Sequence, residues 1–249
     1  MRMNPVFREG IQVYLIEGHG FVAYFYLLIV LAPLEFLILF LPSFDPQNWM
    51  GPANLFKVSS VAVLVLILYF GLRVANQEFV PWRFLPLRRW LHQEGVSISE
   101  VALAQIALLC LHVLIFALLS SPLLIWAGAI ARATPGSILS TFFLLLFYSL
   151  TYGVWGLVGV ALWEHRVESR QVFVRCLFVS LLFLSGLLYL PLNPVAYLLY
   201  YLGGKDMAPL VLWGWRWSPP AVHFLFHICL LASGLLIYWR ALKKKEDDH

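Results

Sequence analysis

The chain has 249 residues, of which 61% are hydrophobic and 12% are charged, whereas soluble domains carry about 25% charged residues. The formal net charge of +4 is small and gives no sign of a nucleic-acid-binding surface. Because the apolar bias recurs from end to end, the composition excludes a soluble domain with one anchor. It predicts a single polytopic membrane domain over residues 1–249.

The first predicted element is an amphipathic helix over residues 4–17. Its apolar side chains fall near one helical face, while the charged ones fall elsewhere. This pattern favours a helix lying in the membrane interface, although a plain extension of the first span is the alternative. No cleavable signal peptide is expected, because the segment lacks a short apolar core with a small-residue cleavage site.

Six continuous apolar runs follow, each long enough to cross the hydrocarbon core of about 30 Å. Backbone groups in lipid must be satisfied internally, and continuous runs favour helices over a barrel. The predicted fold is therefore an all-α integral membrane protein with six transmembrane helices. The spans cover about 20–41, 58–76, 101–128, 138–163, 172–190 and 220–240, and the third helix is expected to end near Pro122.

Basic residues gather on one side of these spans. If the N-terminus is cytoplasmic, four of the 17 Lys and Arg residues lie outside, which leaves 13 inside. The four are Lys57, Arg132, Lys205 and Arg216. This asymmetry predicts a multi-pass protein with both termini in the cytoplasm.

The longest inner loop is predicted over residues 77–100, between spans two and three. Pro81 and Pro86 interrupt it, and the piece Leu87–Glu94 has helical character. Ser97 and Glu100 have the spacing of a capping box at the start of the next helix. In span four, small residues such as Gly156 permit a close helix approach. The aromatic outer segment 191–219 is expected to form short re-entrant helices at the outer leaflet.

Four polar residues within the predicted spans are candidates for a substrate pathway or for contacts between helices, because ionisable groups are costly in lipid. They are Glu35, His112, His223 and His227. His223 and His227 share a helical face, so Zn²⁺ binding is one interpretation. Hydrogen bonding between helices is a second, and lining a substrate path is a third. We expect no metal site, and we expect Glu35 to pair with His223 or His227 because all three lie at similar depth.

No motif for ATP hydrolysis or covalent catalysis is present. The string Gly203-Gly204-Lys205-Asp206 lacks the upstream glycine spacing and the hydroxyl residue of a phosphate-binding loop. We therefore predict no catalytic residue and no cofactor in this chain. If the protein performs transport work, the energy comes from a partner or from an ion gradient.

Several short motifs, in order, resemble the permease subunit of ABC-2 family transporters over nearly the whole chain. The N-terminal Asn4–Glu9 is similar to the family's opening, Leu85–Arg89 to its coupling-helix region, Leu119–Pro122 to its third span, and Leu192–Pro194 to an element after span five. The chain departs at Gly95-Val96, where a glycine-lysine pair is frequent, and at Gly159-Val160, where a serine is usual.

The resemblance implies a half-transporter in a bacterial cytoplasmic membrane, and mostly an exporter. Its implied partners are membrane lipid, a second permease subunit (identical or related) and a cytoplasmic ATPase subunit that binds ATP and Mg²⁺. Trp90 and Leu91, flanked by cations, are expected to dock into the ATPase, whereas the alternative is that the cations only set topology or contact anionic lipid. The predicted partner-binding residues are Arg83, Leu87, Arg88, Arg89, Trp90, Leu91, His92, Glu164, Arg166 and Arg170.

A membrane anchor of a redox complex is the competing interpretation, with the intramembrane histidines as haem ligands. It leaves the N-terminal helix and the loop between spans two and three unexplained.

Overall fold

The computed structural model describes residues 3–40, 51–92, 96–212 and 214–247. Residue 41 of the first predicted span and Glu94 of the predicted loop helix lie outside these ranges. Within them, six helices are long and apolar enough to cross a membrane, which confirms an all-α multi-pass membrane fold. The helices are α1 (Pro5–Ile11), α2 (Phe21–Phe40), α3 (Leu55–Ala75), α4 (Leu87–Leu91), α5 (Ile98–Ile130), α6 (Pro135–Leu162), α7 (Val167–Val179), α8 (Ser185–Leu188), α9 (Pro194–Leu202) and α10 (Pro219–Asp247).

The six spans are α2, α3, α5, α6, α7 continued by α8, and α10. A π-helical turn, Ser180–Leu184, joins α7 to α8, and another, Gln12–Ile16, continues α1. Short polar side chains cap several helix starts. Asn4 caps α1, Thr134 caps α6 and Asn193 caps α9. The predicted capping box of Ser97 and Glu100 is confirmed at the start of α5.

The predicted end of the third span near Pro122 is wrong, because α5 continues to Ile130. Proline has no N–H, so the carbonyl of Leu118 loses its usual helical donor. The hydroxyl of Ser121 donates to that carbonyl at 2.8 Å. A hydroxyl neighbour can thus satisfy the freed backbone group and let a helix pass through proline.

Helices α3, α5 and α6 form the centre of the bundle, and α6 is the most enclosed span. Close approach of α6 to α3 depends on Gly156. A Cβ at this position would lie 2.7 Å from the carbonyl oxygen of Leu72 and 2.7 Å from Cβ of Ala75. This contact confirms the prediction that small residues in span four allow close packing.

Gly156→Ala should therefore destabilise the protein by about 1–3 kcal/mol, because the added methyl group meets backbone that cannot move aside cheaply. Gly71→Ala is the matched control. Gly71 lies in the neighbouring helix α3, and a Cβ at this position meets nothing within 4 Å. Thermal unfolding in detergent should show a lower Tm for Gly156→Ala and an unchanged or higher Tm for Gly71→Ala. Equal Tm values for the two variants would contradict the close-packing argument.

Successive spans run in opposite directions, so the bundle has two distinct ends. The terminal end carries α1, residues 76–92 and 96–97, the turn at 163–166 and the end of α10. The distal end carries the α5–α6 turn and residues 189–212 and 214–218. There, β1 (Leu210–Leu212) pairs antiparallel with β2 (Trp215–Trp217), with Leu210 opposite Trp217. Sequence analysis predicted only short helices in this segment; the hairpin forms next to Gly214, whose φ of 80° suits glycine.

Candidate functional site

The short helix α4 is fixed at the terminal end by residues from three other parts of the chain. We call this set the terminal platform: Glu9, Glu17, the segment Pro81–Leu91, Glu164 and Lys245. One carboxylate comes from α1, one from the turn after α1 and one from the turn between α6 and α7. The platform therefore joins segments that are distant in sequence.

Two glutamates of the N-terminal segment bind the residues around α4. Glu9 accepts hydrogen bonds from the backbone N–H of Leu85 at 2.8 Å and from the indole Nε1–H of Trp90 at 3.2 Å. Glu17 accepts two bonds from the guanidinium of Arg83, from Nε at 3.0 Å and from Nη2 at 2.5 Å. The N-terminal segment thus braces α4 and the turn before it.

These two carboxyl groups have shifted pKa values in opposite directions. Hydrogen bonds from Arg83 lower the pKa of Glu17, and the same pair raises the pKa of Arg83. Burial raises the pKa of Glu9, although its bonds from Leu85 and Trp90 partly oppose the shift. Because a lowered pKa marks a stabilised carboxylate, the Glu17–Arg83 pair is present at neutral pH and is lost as the pH falls through the folded-state pKa of Glu17.

Glu164 connects α4 with the C-terminal helix. One carboxylate oxygen accepts the backbone N–H of Leu87, the first residue of α4. The other accepts Nζ of Lys245 near the end of α10, at 2.7 Å. The Glu164 side chain is only 8% exposed, so this ion pair is better shielded than an ordinary surface pair. A displacement of α4 would therefore be transmitted through Glu164 to the end of α6 and to α10.

The predicted partner-binding residues divide into two groups. The buried group is Leu87, Trp90, Leu91 and Arg170, and the exposed group is Arg83, Arg88, Arg89, His92 and Arg166, with Glu164 between them. Trp90 is 8% exposed and Leu91 is 7% exposed, so neither presents its side chain at the surface as a docking anchor. The exposed apolar side chains in this region are Trp82, at 76%, and Leu85, at 39%. Sequence analysis missed both.

A second cluster, within the bundle, joins α6, α10 and the segment before α9. The ring of His223 lies between Tyr148, whose hydroxyl is 2.5 Å from Nε2, and the carbonyl oxygen of Pro191, 2.5 Å from Nδ1. Tyr197 stacks on the same ring, with centroids 3.8 Å apart and planes 8° apart. One turn along, His227 contacts the hydroxyl of Tyr152 at 2.8 Å.

The backbone partners fix the tautomers of these two histidines. A carbonyl oxygen only accepts, so Nδ1 of His223 donates to Pro191 and Nδ1 of His227 donates to the carbonyl of His223. Each Nε2 is then the acceptor of a tyrosine hydroxyl. Since that lone pair is already engaged, ligation of Zn²⁺ or haem iron is not favoured at either residue, and hydrogen bonding between helices is the role that the geometry supports. Across the described ranges, no three His, Cys, Asp or Glu side chains come together as metal ligands.

His112 of α5 belongs to a third cluster, with the N-terminal segment and α2. Its Nδ1 lies 2.5 Å from the hydroxyl of Tyr24, and its ring meets that of Tyr14 edge to face at 4.6 Å. The hydroxyl of Tyr14 donates to the carbonyl of Val74 at 2.7 Å. Within the part of the chain that the structure describes, the Nε2 atom of His112 has no hydrogen-bond partner, and the residue lines a cavity of about 20 Å³ with Gln105, which is room for about one water molecule.

The predicted pairing of Glu35 with His223 or His227 is wrong. Both ring nitrogens of each histidine have other partners. Both carboxyl oxygens of Glu35 are buried without a hydrogen-bond partner among the described residues. Similar depth in the membrane does not bring side chains together when they lie on different sides of the bundle.

Three acidic residues at the terminal end, Glu9, Glu17 and Glu78, were not among the predicted site residues. Glu78 is buried and binds both Arg73, at 2.9 Å, and the side-chain amide of Asn76, at 3.0 Å. The available signal was their rarity, since acidic residues within a strongly basic end of a membrane protein need a reason to be there.

Comparisons of the chain with protein-family models, with curated proteins and with solved structures find no match.

Proposed function

We propose that this chain is the membrane permease subunit of an ATP-driven transporter of the ABC-2 type, most plainly an exporter. A separate cytoplasmic ATPase subunit, which binds ATP and Mg²⁺, supplies the energy. A second permease subunit completes the path through the membrane. In this proposal the terminal end faces the cytoplasm of a bacterial cell, in accordance with the excess of Lys and Arg there.

The observation that carries the proposal is the way α4 is held. A helix of five residues is not stable on its own, yet α4 is fixed by Glu9 and Glu164 and buries Leu87, Trp90 and Leu91. A structure of this kind suits a coupling element. Force applied to α4 by a partner passes to the N-terminal segment, to the end of α6 and to α10 without unfolding the element.

The surface next to α4 suits a protein partner. Trp82 and Leu85 project apolar groups, while Arg88 and Arg89 are exposed on α4 itself. Exposed tryptophan and arginine are frequent interface hot spots. We therefore assign the anchoring role to Trp82 and Leu85, and give Trp90 and Leu91 the indirect role of positioning α4.

The outer faces of the bundle support a second subunit or a lipid boundary. The span formed by α7 and α8 is the most exposed of the six, and α10 and α2 follow. Their exposed side chains are large and apolar, such as Phe25, Phe183 and Leu187. Such faces need either lipid or another membrane chain against them.

The test is purification of the tagged chain from its native membrane in mild detergent, followed by an assay of Mg²⁺-dependent ATP hydrolysis. We expect ATPase activity and a copurifying chain that carries a phosphate-binding-loop motif. The double variant Trp82→Ala, Arg89→Glu should lose both, while its own yield is unchanged. The matched control, Trp215→Ala with Arg216→Glu, makes the same change on exposed residues of the distal hairpin and should retain both.

An ATPase-free preparation of the wild-type chain would contradict the proposal. Equal loss in both double variants would contradict the assignment of the docking surface. A visible absorption spectrum of the same preparation tests the competing redox anchor, because a Soret band would favour haem binding.

A further inference from the structure

Glu35 occupies a core position of α2. It follows Leu27 and Leu31 and precedes Ile38 on the one buried stripe of this helix, and the residue is 1% exposed. Phe36, the next residue, is 55% exposed on the outer face. The carboxyl group therefore points towards α3 and α5, in the half of the bundle nearer the distal end.

The carboxyl group of Glu35 has a polar neighbour, but it forms no hydrogen bond of acceptable geometry with a described residue. The hydroxyl of Ser59, on α3, lies against it. Both oxygens of Glu35 and Oγ of Ser59 are nevertheless buried without a hydrogen-bond partner of acceptable geometry among the described residues. The flanking positions on both helices are apolar: Leu34 and Ile38 of α2 and Leu55 and Val58 of α3 belong to one hydrophobic cluster with Ala127 and Ile130 of α5.

No described cation neutralises the group. Lys57 lies two residues before Ser59, but its Nζ is directed to the end of α9, where it would be 3.7 Å from a Cβ built on Gly203. From α5, the residues in the hydrophobic cluster next to Glu35 are Ala127 and Ile130, and neither carries a charge. His223 and His227 are engaged by tyrosines and backbone carbonyls.

An ionised carboxylate in such a place would be strongly destabilising, because burial removes its hydration and no charge among the described residues compensates for the loss. A neutral carboxylic acid has one O–H donor and can donate it to a hydroxyl oxygen. We propose that Glu35 and Ser59 form a proton-binding site, in which Glu35 carries the proton at neutral pH and a small rotation lets it donate to Oγ of Ser59. The ligand is a proton, and the inference does not depend on the proposed ATPase partner.

Such a site would exchange its proton only when α2 and α3 separate enough to admit water or a cationic group. Transport cycles move helices against each other, so proton release would accompany the movement that exposes this contact. A protonated substrate amine could occupy the carboxylate in that state. The site would thereby link the charge of a transported molecule to the position of α2.

Infrared difference spectroscopy of the full-length protein in lipid tests the site. At neutral pH, the spectrum of wild type minus Glu35→Gln should contain the C=O stretching band of a protonated carboxylic acid. In a second measurement, on the wild-type protein without any variant, the same band should be lost when the pH is raised. This result does not depend on how a variant folds. Glu9→Gln is the control, because burial raises the pKa of the Glu9 carboxyl outside the spans, and this variant must leave the band in place. Ser59→Ala should move the loss of the band to higher pH, because a hydrogen bond to a charged carboxylate is stronger than one made by the neutral acid, so the loss of the hydroxyl destabilises the carboxylate more.

Carboxylate bands in place of the acid band in wild type at neutral pH would overturn the proposal. Conversion of the acid band to carboxylate when choline is replaced by Na⁺ at constant pH would also overturn it, in favour of a sodium site. If the acid band disappears in Glu9→Gln and persists in Glu35→Gln, the proton is bound to Glu9, and the proposal is overturned.

Discussion

Replacing His223 with alanine is expected to lower the free energy of unfolding by about 3–5 kcal/mol, the largest effect of any single substitution considered for this protein. His223 is fully buried and lies at the meeting point of α6, α10 and the segment that leads into α9. The substitution removes a ring that stacks on Tyr197. It also leaves the hydroxyl of Tyr148 and the carbonyl of Pro191 without their partner.

Two separate costs contribute to the effect, and they are not additive because they concern the same site. Truncation of a large buried side chain leaves a cavity, and each orphaned buried polar group costs about 1–3 kcal/mol. Tyr148→Phe removes only one hydrogen bond and keeps the ring, so its cost should be smaller. Thermal or denaturant unfolding of the purified protein in detergent gives the comparison.

Leu225→Ala is the matched control on the same helix, because Leu225 is 53% exposed on the outer face of α10. Its stability should be close to that of wild type. If His223→Ala were as stable as Leu225→Ala, the network of tyrosines and histidines would have no structural role. The histidines would then need another explanation, such as ligand binding.

The sequence predicted the spans well because each rests on a long, continuous pattern. About 20 apolar residues in succession permit little besides a membrane helix, and short capping side chains such as Ser97 mark where a helix begins. Pro122 shows the limit of a local rule. Its effect on α5 is cancelled by the hydroxyl of the preceding Ser121, which a rule about proline alone does not consider.

The site was harder to predict because burial at the ends of spans depends on tertiary contacts. Trp90 and Trp82 are both aromatic residues of one basic loop, and nothing in the local pattern distinguishes them. Trp90 packs in a buried apolar cluster, and Glu9, 81 residues earlier, accepts its indole N–H, whereas Trp82 has no such partner among the described residues and is exposed. Likewise, depth along a span can be read from sequence, but the side of the bundle that Glu35 faces cannot.

Glu164→Ala should have the second largest effect, a loss of about 2–3 kcal/mol, since hydrogen bonds to charged groups are worth about 1.5–3 kcal/mol. The substitution releases the N–H of Leu87 at the start of α4 and leaves the ammonium group of Lys245 without its partner. Glu164→Gln should cost less, because the amide oxygen can still accept the backbone N–H while only the charge is lost. Glu168→Ala changes an exposed glutamate four residues away and should be close to neutral.

A double-mutant cycle with Lys245→Ala separates the ion pair from the contact with α4. If the pair carries most of the energy, the two substitutions together should cost little more than Glu164→Ala alone. If the proposed ATPase subunit binds and the platform transmits force from it, Glu164→Gln should keep that subunit bound and still reduce ATP-driven transport relative to ATP hydrolysis. Independent, additive costs for Glu164→Ala and Lys245→Ala would show that the two side chains do not interact. The connection from α4 to α10 would then have to pass through the apolar cluster that the two helices share.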